Sequence, residues 1–497
     1  MYRQYYLGLD QGTTGTTAVL FDLNWNEVSR GYCEIPLIYP QDGWVEHDPE
    51  EVWNSVLKST LQALGNIGAR ASMIRCIGLN HEGESVVVWN WETGRPVYNA
   101  IVWQDRRTAH EADELAYHHN EVVLEKTGLM IDTYFSATKY KWIIDHVDGA
   151  AELMEQKKLL AGTLDTWIVW KMTRGLSHVT DSSTASRTML YDIHENKWDD
   201  ELLEIFGIDR YMLPEIYDSS TFYCITDPES FLGARIPLTA ILVDQQAALV
   251  GNDCINPGTI KATYGTGCFM MMNTGNTIVE SENGLLPTVA WRLAGEATYA
   301  LDGGIYITGA ATKWLQKNMG IITTPEESDA LASRVKSNGG VYFVPAFTGL
   351  AAPHWDSYAT GMIIGINGNT QKEHIVRAAL ESTAYQVYDV LGAMTQDAQV
   401  PITTIRCNGG PTANQFLMQF QADIMGVTLE VPKIRHTTAF GSAFMGALGM
   451  GDFAAIRDVS HFWSVGKRYE PQISEDARKA LLYNWHRAVE RAKYWVE

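Results

Sequence analysis

The sequence is short of cysteine, of positive charge and of long apolar runs, and each shortage excludes a class of protein. Its six cysteines are scattered, without a CxxC or Cys/His cluster, which argues against a disulfide framework or a structural zinc site. A formal net charge of −21 argues against nucleic acid or an anionic membrane as partner, because their phosphates would be repelled. No apolar run reaches the roughly 18 residues of a membrane helix. The N-terminal segment lacks the apolar core of a signal peptide, so a cytoplasmic protein is expected.

The two commonest nucleotide fingerprints, GxxxxGK[ST] and GxGxxG, are also absent. Instead LGLDQGTTGTTAVLFD (7–22) runs from an apolar segment through a small polar one to a second apolar segment. This pattern predicts a hairpin in which Gly12 and Gly15 supply positive φ. Such a turn can hold a phosphate through its N–H groups and threonine hydroxyls, with Asp10 binding Mg²⁺ through water. A threonine-rich hairpin with a capping aspartate fits this stretch equally well, and a second such turn, YGTG (264–267), favours phosphate.

At 497 residues the chain is too long for one core, so two domains are expected. Strand and helix patterns alternate, which predicts an α/β fold. The strand, Gly/Thr turn and strand recur after residue 258, so we place the domains at 1–255 and 256–497, with a ligand cleft between them. Asp48 and Pro49 predict the start of a helix, and an amphipathic C-terminal helix is expected to dock on its own domain.

Asp244 follows an apolar strand in ILVDQQAAL and precedes an alanine-rich helix. A carboxylate at the end of a strand that faces a cleft can accept the proton of a substrate hydroxyl during phosphoryl transfer. From this stretch alone, a helix N-cap is the favoured interpretation.

The chain resembles the FGGY carbohydrate kinases, and within them the glycerol kinases, over nearly its whole length. The resemblance rests on stretches spread along the chain, among them LGLDQGTT (7–14), NAIVWQDRRTA (99–109), YFSATKYKW (134–142), SRTMLYDIH (186–194), DQQAALVG (244–251), YGTGCFMMMNTG (264–275) and VPAFTGLAAPHWD (344–356). It implies two ribonuclease-H-like domains of the actin and hexokinase type, the first binding the polyol and the second ATP. A homodimer or homotetramer is expected as well.

By motif position, the resemblance implies that Asp244 is the general base and that Asp10 lies beside Mg²⁺. The implied nucleotide-binding residues are Thr13, Thr14, Gly265, Thr266, Gly309, Lys313, Gly410 and Asn414. The implied polyol-binding residues are Glu84, Trp103, Tyr134, Asp244, Gln245 and Phe269. In these positions Glu84, Tyr134 and Asp244 would bind adjacent hydroxyls, while the aromatic rings would pack against the carbon chain.

Several positions depart from the glycerol kinase pattern. HEGES (81–85) stands where NQRET is usual, so Gly83 replaces the arginine expected to bind a terminal hydroxyl. Thr17 replaces a second basic residue, whose role Arg106, Lys139 or Mg²⁺ could take over. Lys313 and Asn408 replace the usual glutamine and aspartate, and DPESFLGAR (227–235) replaces a glycine-rich regulatory loop. A site without the arginine should bind glycerol poorly and leave room for a larger polyol.

We therefore predict an ATP-dependent kinase acting on a primary hydroxyl of a C4–C5 polyol or ketose, with Gly83, His81 and Glu82 as added substrate contacts. Glycerol kinase activity is the alternative. A catalytically weak polyol and ATP sensor, and an actin-like ATPase, are rivals of other classes.

Overall fold

The computed structural model describes residues 4–305, 307–347, 349–350, 352–354, 356 and 358–496. It contains two compact units. The first comprises the residues up to Ile255 together with Pro287–Tyr299 and His436–Phe462, and the second comprises Asn256–Leu286, Ala300–Arg435 and the residues from Trp463 onward. The first break between the units coincides with the predicted division at 255/256. Residues 287–299 and 436–462 belong to the first unit, outside its predicted range.

Up to residue 255 the chain alternates strands and helices. The strands are β1 Tyr5–Gly12, β2 Gly15–Asp22, β3 Glu27–Glu34, β4 Glu46–His47, β5 Ile74–His81, β6 Val86–Asn90, β7 Arg95–Pro96, β8 Ala100–Ile101, β9 Leu159–Thr163, β10 Val179–Asp181, β11 Tyr191–Asp192, β12 Lys197–Trp198, β13 Glu215–Tyr217, β14 Ser220–Ile225 and β15 Pro237–Val243. The helices are α1 Pro49–Asn66, α2 Ala109–Thr127, α3 Ser136–His146, α4 Ala150–Glu155, α5 Leu164–Met172, α6 Ser182–Ala185, α7 Asp200–Phe206 and α8 Asp244–Gly251.

The alternation continues beyond residue 255. The strands there are β16 Ile260–Tyr264, β17 Cys268–Gly275, β18 Leu286–Leu293, β19 Glu296–Ile305, β20 Tyr342–Val344, β21 Met362–Ile364, β22 Thr404–Asn408, β23 Thr428–Pro432 and β24 Val465–Tyr469. The helices are α9 Gly309–Lys317, α10 Glu327–Ala332, α11 Lys372–Ala398, α12 Gln415–Met425, α13 Thr437–Gly449 and α14 Glu475–Ala492. None of the helices in the described ranges is long and apolar enough to cross a membrane.

The predicted hairpin at the start of the chain is confirmed, and it lies in a six-stranded sheet of order β14-β15-β5-β1-β2-β3. Neither Gly12 nor Gly15 has a positive φ, contrary to the prediction. Gly15 is needed for a different reason: a Cβ there would lie 2.6 Å from the carbonyl oxygen of Cys33. Strands β1, β5 and β15 run parallel, so their carboxyl ends meet at one sheet edge.

Helix α13 belongs to the first unit although it lies more than 350 residues after β1 in the chain. Glycines on the strands β1 and β5 allow α13 to pack closely on the sheet: a Cβ on Gly8 would lie 2.1 Å from the carbonyl oxygen of Ala439, and one on Gly78 would lie 1.8 Å from that of Ser442. Only glycine fits where two backbones approach so closely. The single division at 255/256 could not anticipate this packing.

The second predicted hairpin, β16–β17, is also confirmed, with Tyr264 opposite Cys268. Its sheet has the order β18-β19-β17-β16-β22-β23-β24. The C-terminal helix α14 docks within its own unit as predicted, since Trp485 is fully buried and stacks on Tyr385 with ring centroids 5.2 Å apart. The Asp48 cap of α1 is present as well, because its side chain accepts from the Glu50 N–H.

Candidate active site

Two carboxylates lie at the edge where the parallel strands of the first sheet end. Asp10 is near the end of β1, and Asp244 follows directly after β15 as the first residue of α8. Gln11 and Val243 are both in register with His81 of the intervening strand β5. Asp10 precedes Gln11 and Asp244 follows Val243, so the aspartates are offset by two residues along the strands as well as by two strand spacings. At about 3.3 Å per residue and about 4.8 Å per strand, their backbones are about 12 Å apart. This spacing leaves room for reacting groups between them.

Asp10 sits where a cation is favoured. Burial raises its pKa to about 6, and the charges of His436 and Arg30 offset only part of this effect. Thr17, which stands in place of the expected basic residue, is directly opposite Asp10 in the β1–β2 pair. The described residues contain no group of three or more acidic, histidine or cysteine side chains that could enclose a metal. A hydrated Mg²⁺ held by this one carboxylate and by phosphate oxygens fits such a site.

The first Gly/Thr turn is tied to the predicted polyol pocket. Thr13 accepts a hydrogen bond from the indole Nε1 of Trp103, with 2.9 Å between the atoms. Because the indole only donates, the Thr13 hydroxyl keeps its own proton for an outside acceptor such as a phosphate oxygen. Thr14 is exposed beside it, and its carbonyl accepts from Tyr32 Oη at 3.1 Å.

Trp103, Tyr134 and Glu84 are grouped together. The rings of Trp103 and Tyr134 meet edge to face with centroids 5.6 Å apart. Glu84 is buried, and its Oε1 accepts from Nε of Arg187 at 2.7 Å. The guanidinium carbon of Arg187 lies 5.5 Å from the centre of the Tyr134 ring. Sequence reasoning gave Arg187 no role, although it lies in the matched stretch SRTMLYDIH.

Lys139 does not replace the missing basic residue at a phosphate. Its ammonium is buried and donates to the carbonyl oxygens of Thr133, Tyr134 and Phe135 at 2.6–2.9 Å. Burial lowers the pKa of this lysine to about 8, although nearby carboxylates such as Glu84 act in the opposite direction. Lys139 therefore holds the segment that carries Tyr134.

The backbone at position 83 suits glycine, and one neighbouring side chain lies close to it. Gly83 has a φ of +88°, and a Cβ there would lie 3.2 Å from Cγ1 of Val243. Its N–H donates to Nδ1 of buried His81, whose Nε2 lies 2.9 Å from Oγ1 of Thr184. A side chain at position 83 would thus be strained by its backbone and crowded by its neighbour.

Glu82 is buried next to this turn. Within the described part of the chain, neither of its carboxylate oxygens has a hydrogen-bond partner, and the nearer one lies 3.8 Å from Nε2 of His47.

The two other predicted polyol residues lie on different elements. Gln245 follows Asp244 on α8 and is partly exposed. Phe269 belongs to the second unit, on β17, where its ring packs against Gly304.

In the second unit, the second Gly/Thr turn is bound to the start of α9. The carbonyl oxygen of Thr266 accepts from the N–H groups of Thr308 and Ala310 at 3.0–3.1 Å. Gly309 lies so close that a Cβ would be 2.4 Å from the carbonyl oxygen of Gly265. These hydrogen bonds and this close approach hold the second turn against the N-terminus of α9.

Of the remaining predicted nucleotide residues, Gly410 and Asn414 follow β22 and Lys313 lies on α9. Asn408 accepts from Oγ1 of Thr263 at 2.9 Å, and a Cβ on Gly409 would lie 1.9 Å from the Tyr264 carbonyl oxygen. Gly410 begins the short 3-10 helix that follows, and Asn414 caps α12 by accepting from the Leu417 N–H. Lys313 is exposed on α9. Gly409 and Gly410 directly follow β22. This strand pairs with β16, and β16 leads into the second Gly/Thr turn.

The fold is that of two-domain α/β phosphotransferases related to actin and hexokinase, with one Gly/Thr hairpin in each unit. Models of the N-terminal and C-terminal domains of the FGGY family of carbohydrate kinases match residues 5–251 and 260–450. The chain belongs to this family. It is thus an ATP-dependent kinase with an alcohol group as acceptor, and the predicted fold class and family are confirmed.

Individual relatives refine the comparison. The chain is 48% identical to glycerol kinase 2 of Thermotoga maritima and 50% identical to a glycerol kinase of Carboxydothermus hydrogenoformans, covering 99% of each relative and 99–100% of this chain. Among solved structures, a Plasmodium falciparum glycerol kinase with ADP matches with a TM-score of 0.91 at 32% identity, over 98% of both chains. A xylulose kinase from Brucella ovis, 23% identical with a TM-score of 0.85 over 98% of both chains, shares the fold.

The prediction of a C4–C5 polyol or ketose substrate is wrong. It rested on the space expected at Gly83, whereas the full-length relatives at 47–50% identity are named glycerol kinases. The physical reason lies in the turn itself. Gly83 adopts a backbone conformation that suits glycine, with Val243 against it, and a different arginine, Arg187, meets Glu84.

Proposed function

We propose that this chain transfers the γ-phosphoryl group of ATP to glycerol, giving glycerol 3-phosphate and ADP. The observation that carries the proposal is full-length similarity, at 47–50% identity, to relatives named glycerol kinase. The grouping of Trp103, Tyr134 and Glu84 supports it, because it combines aromatic faces for a short carbon chain with an acceptor for hydroxyl groups.

In the proposed mechanism, Asp244 accepts the proton of a primary hydroxyl. The oxygen attacks the γ-phosphorus in line, the bond to the β–γ bridging oxygen breaks, and ADP leaves. Glu84 and Tyr134 bind the other hydroxyls and orient the nucleophile. Thr13, Thr14 and Thr266 donate to phosphate oxygens. Mg²⁺, held near Asp10, supplies charge neutralisation when it is bound.

A coupled ADP-release assay tests the proposal, with glycerol compared against erythritol, xylitol and a pentulose. Wild-type enzyme is expected to release ADP with glycerol, and Asp244→Asn to lose roughly 100- to 10,000-fold in kcat while it still binds ATP. Asp200→Asn is the matched control, since Asp200 is likewise the first residue of a helix and is exposed.

The other outcomes would each refute the proposal. Hydrolysis independent of any polyol would indicate an ATPase, and glycerol binding without turnover would indicate a sensor. Asp244→Asn with wild-type activity would remove Asp244 from the mechanism.

A further inference from the structure

Arg187, which forms an ion pair with Glu84, has no role in the proposed mechanism. Nε of Arg187 lies 2.7 Å from Oε1 of Glu84, and each side chain is only 3% exposed. We propose that Arg187 is a positioning residue for glycerol: it holds the Glu84 carboxylate ionised and oriented. This inference rests on the proposed function.

Arg187 is held on a firm scaffold. The helix α6 that precedes it is capped by buried Asp181, which accepts from the N–H groups of Ser183 and Thr184. Just after the arginine, the carbonyl oxygen of Thr188 accepts from the Ala137 N–H at 3.0 Å. The other partner is fixed too, because Ser136 Oγ donates to the Glu84 carbonyl oxygen at 3.1 Å. Both ends of the ion pair are thus anchored to the start of α3.

The guanidinium also contacts the aromatic wall. Its central carbon lies 5.5 Å from the Tyr134 ring centre and 5.4 Å from that of Phe135, within the range of cation–π attraction. One charged group therefore links two predicted glycerol contacts, Glu84 and Tyr134. A carboxylate buried with its arginine stays ionised and accepts hydroxyl protons, whereas a buried carboxylate left alone becomes protonated.

Steady-state kinetics of Arg187→Gln, Arg187→Lys, Glu84→Gln and the double variant Glu84→Gln/Arg187→Gln test this role. Arg187→Gln is expected to raise the KM for glycerol roughly 30-fold and to leave the KM for ATP within about twofold. Lysine keeps the charge without the planar fork, so Arg187→Lys should raise the glycerol KM less. In the Glu84→Gln background, Arg187→Gln should raise the KM for glycerol little further, because Arg187 acts through Glu84.

Arg292→Gln is the control, because Arg292 makes an equivalent Nε contact with Asp218 at 2.6 Å in the same unit. It is expected to lower Tm and leave the glycerol KM unchanged. A glycerol KM of Arg187→Gln within about twofold of wild type, additive effects in the double variant, or an equal rise in Arg292→Gln would overturn the inference. If Arg187→Gln does not fold, an unchanged glycerol KM in Arg187→Lys overturns it instead.

Failure of the proposed function is distinguishable from failure of this inference. A wild-type enzyme that phosphorylates another alcohol and not glycerol overturns the proposed function. The same variants are then measured with that alcohol. A KM for that alcohol that is unchanged in Arg187→Gln would overturn the role of Arg187.

Discussion

Replacing Lys139 by methionine is expected to change the pH dependence of stability in a defined direction. In the folded protein the pKa of Lys139 is about 8, because burial disfavours the ammonium, against 10.5 for an ordinary lysine. Each pKa unit is worth about 1.4 kcal/mol, so keeping this lysine charged costs the fold about 3 kcal/mol below pH 8.

The direction in which stability changes with pH follows from the number of protons that the folded and unfolded chains bind. Between pH 8 and 10.5 the unfolded chain binds more protons than the folded one, so the free energy of unfolding of the wild type rises with pH in this window. Methionine has no such titration. Lys139→Met is expected to be less stable than wild type at pH 7, because three carbonyl oxygens lose their donor. The difference in free energy of unfolding between the two proteins should increase by about 2 kcal/mol by pH 9.5.

Urea denaturation of both proteins at pH 7, 8 and 9.5 measures this difference in the free energy of unfolding. Lys141→Met is the control for the loss of a lysine from the same helix, where the ammonium pairs with Asp145 at the surface. A gap between wild type and Lys139→Met that stays constant within about 0.5 kcal/mol from pH 7 to 9.5 would refute the reasoning, since it would mean that the buried amine does not titrate there.

Two further substitutions test the packing of α13 and the first turn. Gly8→Ala is expected to destabilise the protein by about 3 kcal/mol in thermal or urea unfolding, because its Cβ would collide with the Ala439 carbonyl. Gly65→Ala, at a helix position with open space, should instead gain up to about 1 kcal/mol, and equal effects would contradict the packing argument. Thr17→Arg places a guanidinium opposite Asp10 and should lower its pKa from about 6, moving the acid limb of kcat/KM for MgATP to lower pH. An unmoved acid limb would show that Asp10 does not govern it.

The elements that could be predicted from the sequence are those whose cause is local. Two Gly/Thr turns between apolar runs gave two hairpins, and Asp48 with Pro49 gave the start of α1. Asp10 was predicted at the end of a strand and Asp244 after one, and the structure places both at one sheet edge. Turn chemistry and helix capping act over a few residues, so a short stretch carries the whole signal.

The substrate prediction inferred a larger alcohol from a missing side chain, and the full-length relatives named glycerol kinase contradict it. Whether Gly83 leaves room depends on its φ of +88° and on Val243, which comes 160 positions later in the chain. A local pattern carries no information on a neighbour that only folding brings close. The same holds for Glu84 and Arg187, which are 103 positions apart.

The sequence by itself determined the α/β class, the family and both Gly/Thr hairpins, because each depends on short motifs and their order. Only the tertiary structure decided that α13 packs on the first sheet, that the Lys139 ammonium donates to three carbonyl oxygens, and that Arg187 pairs with Glu84. These contacts depend on which surfaces are excluded from water together, and no single stretch of the chain records that.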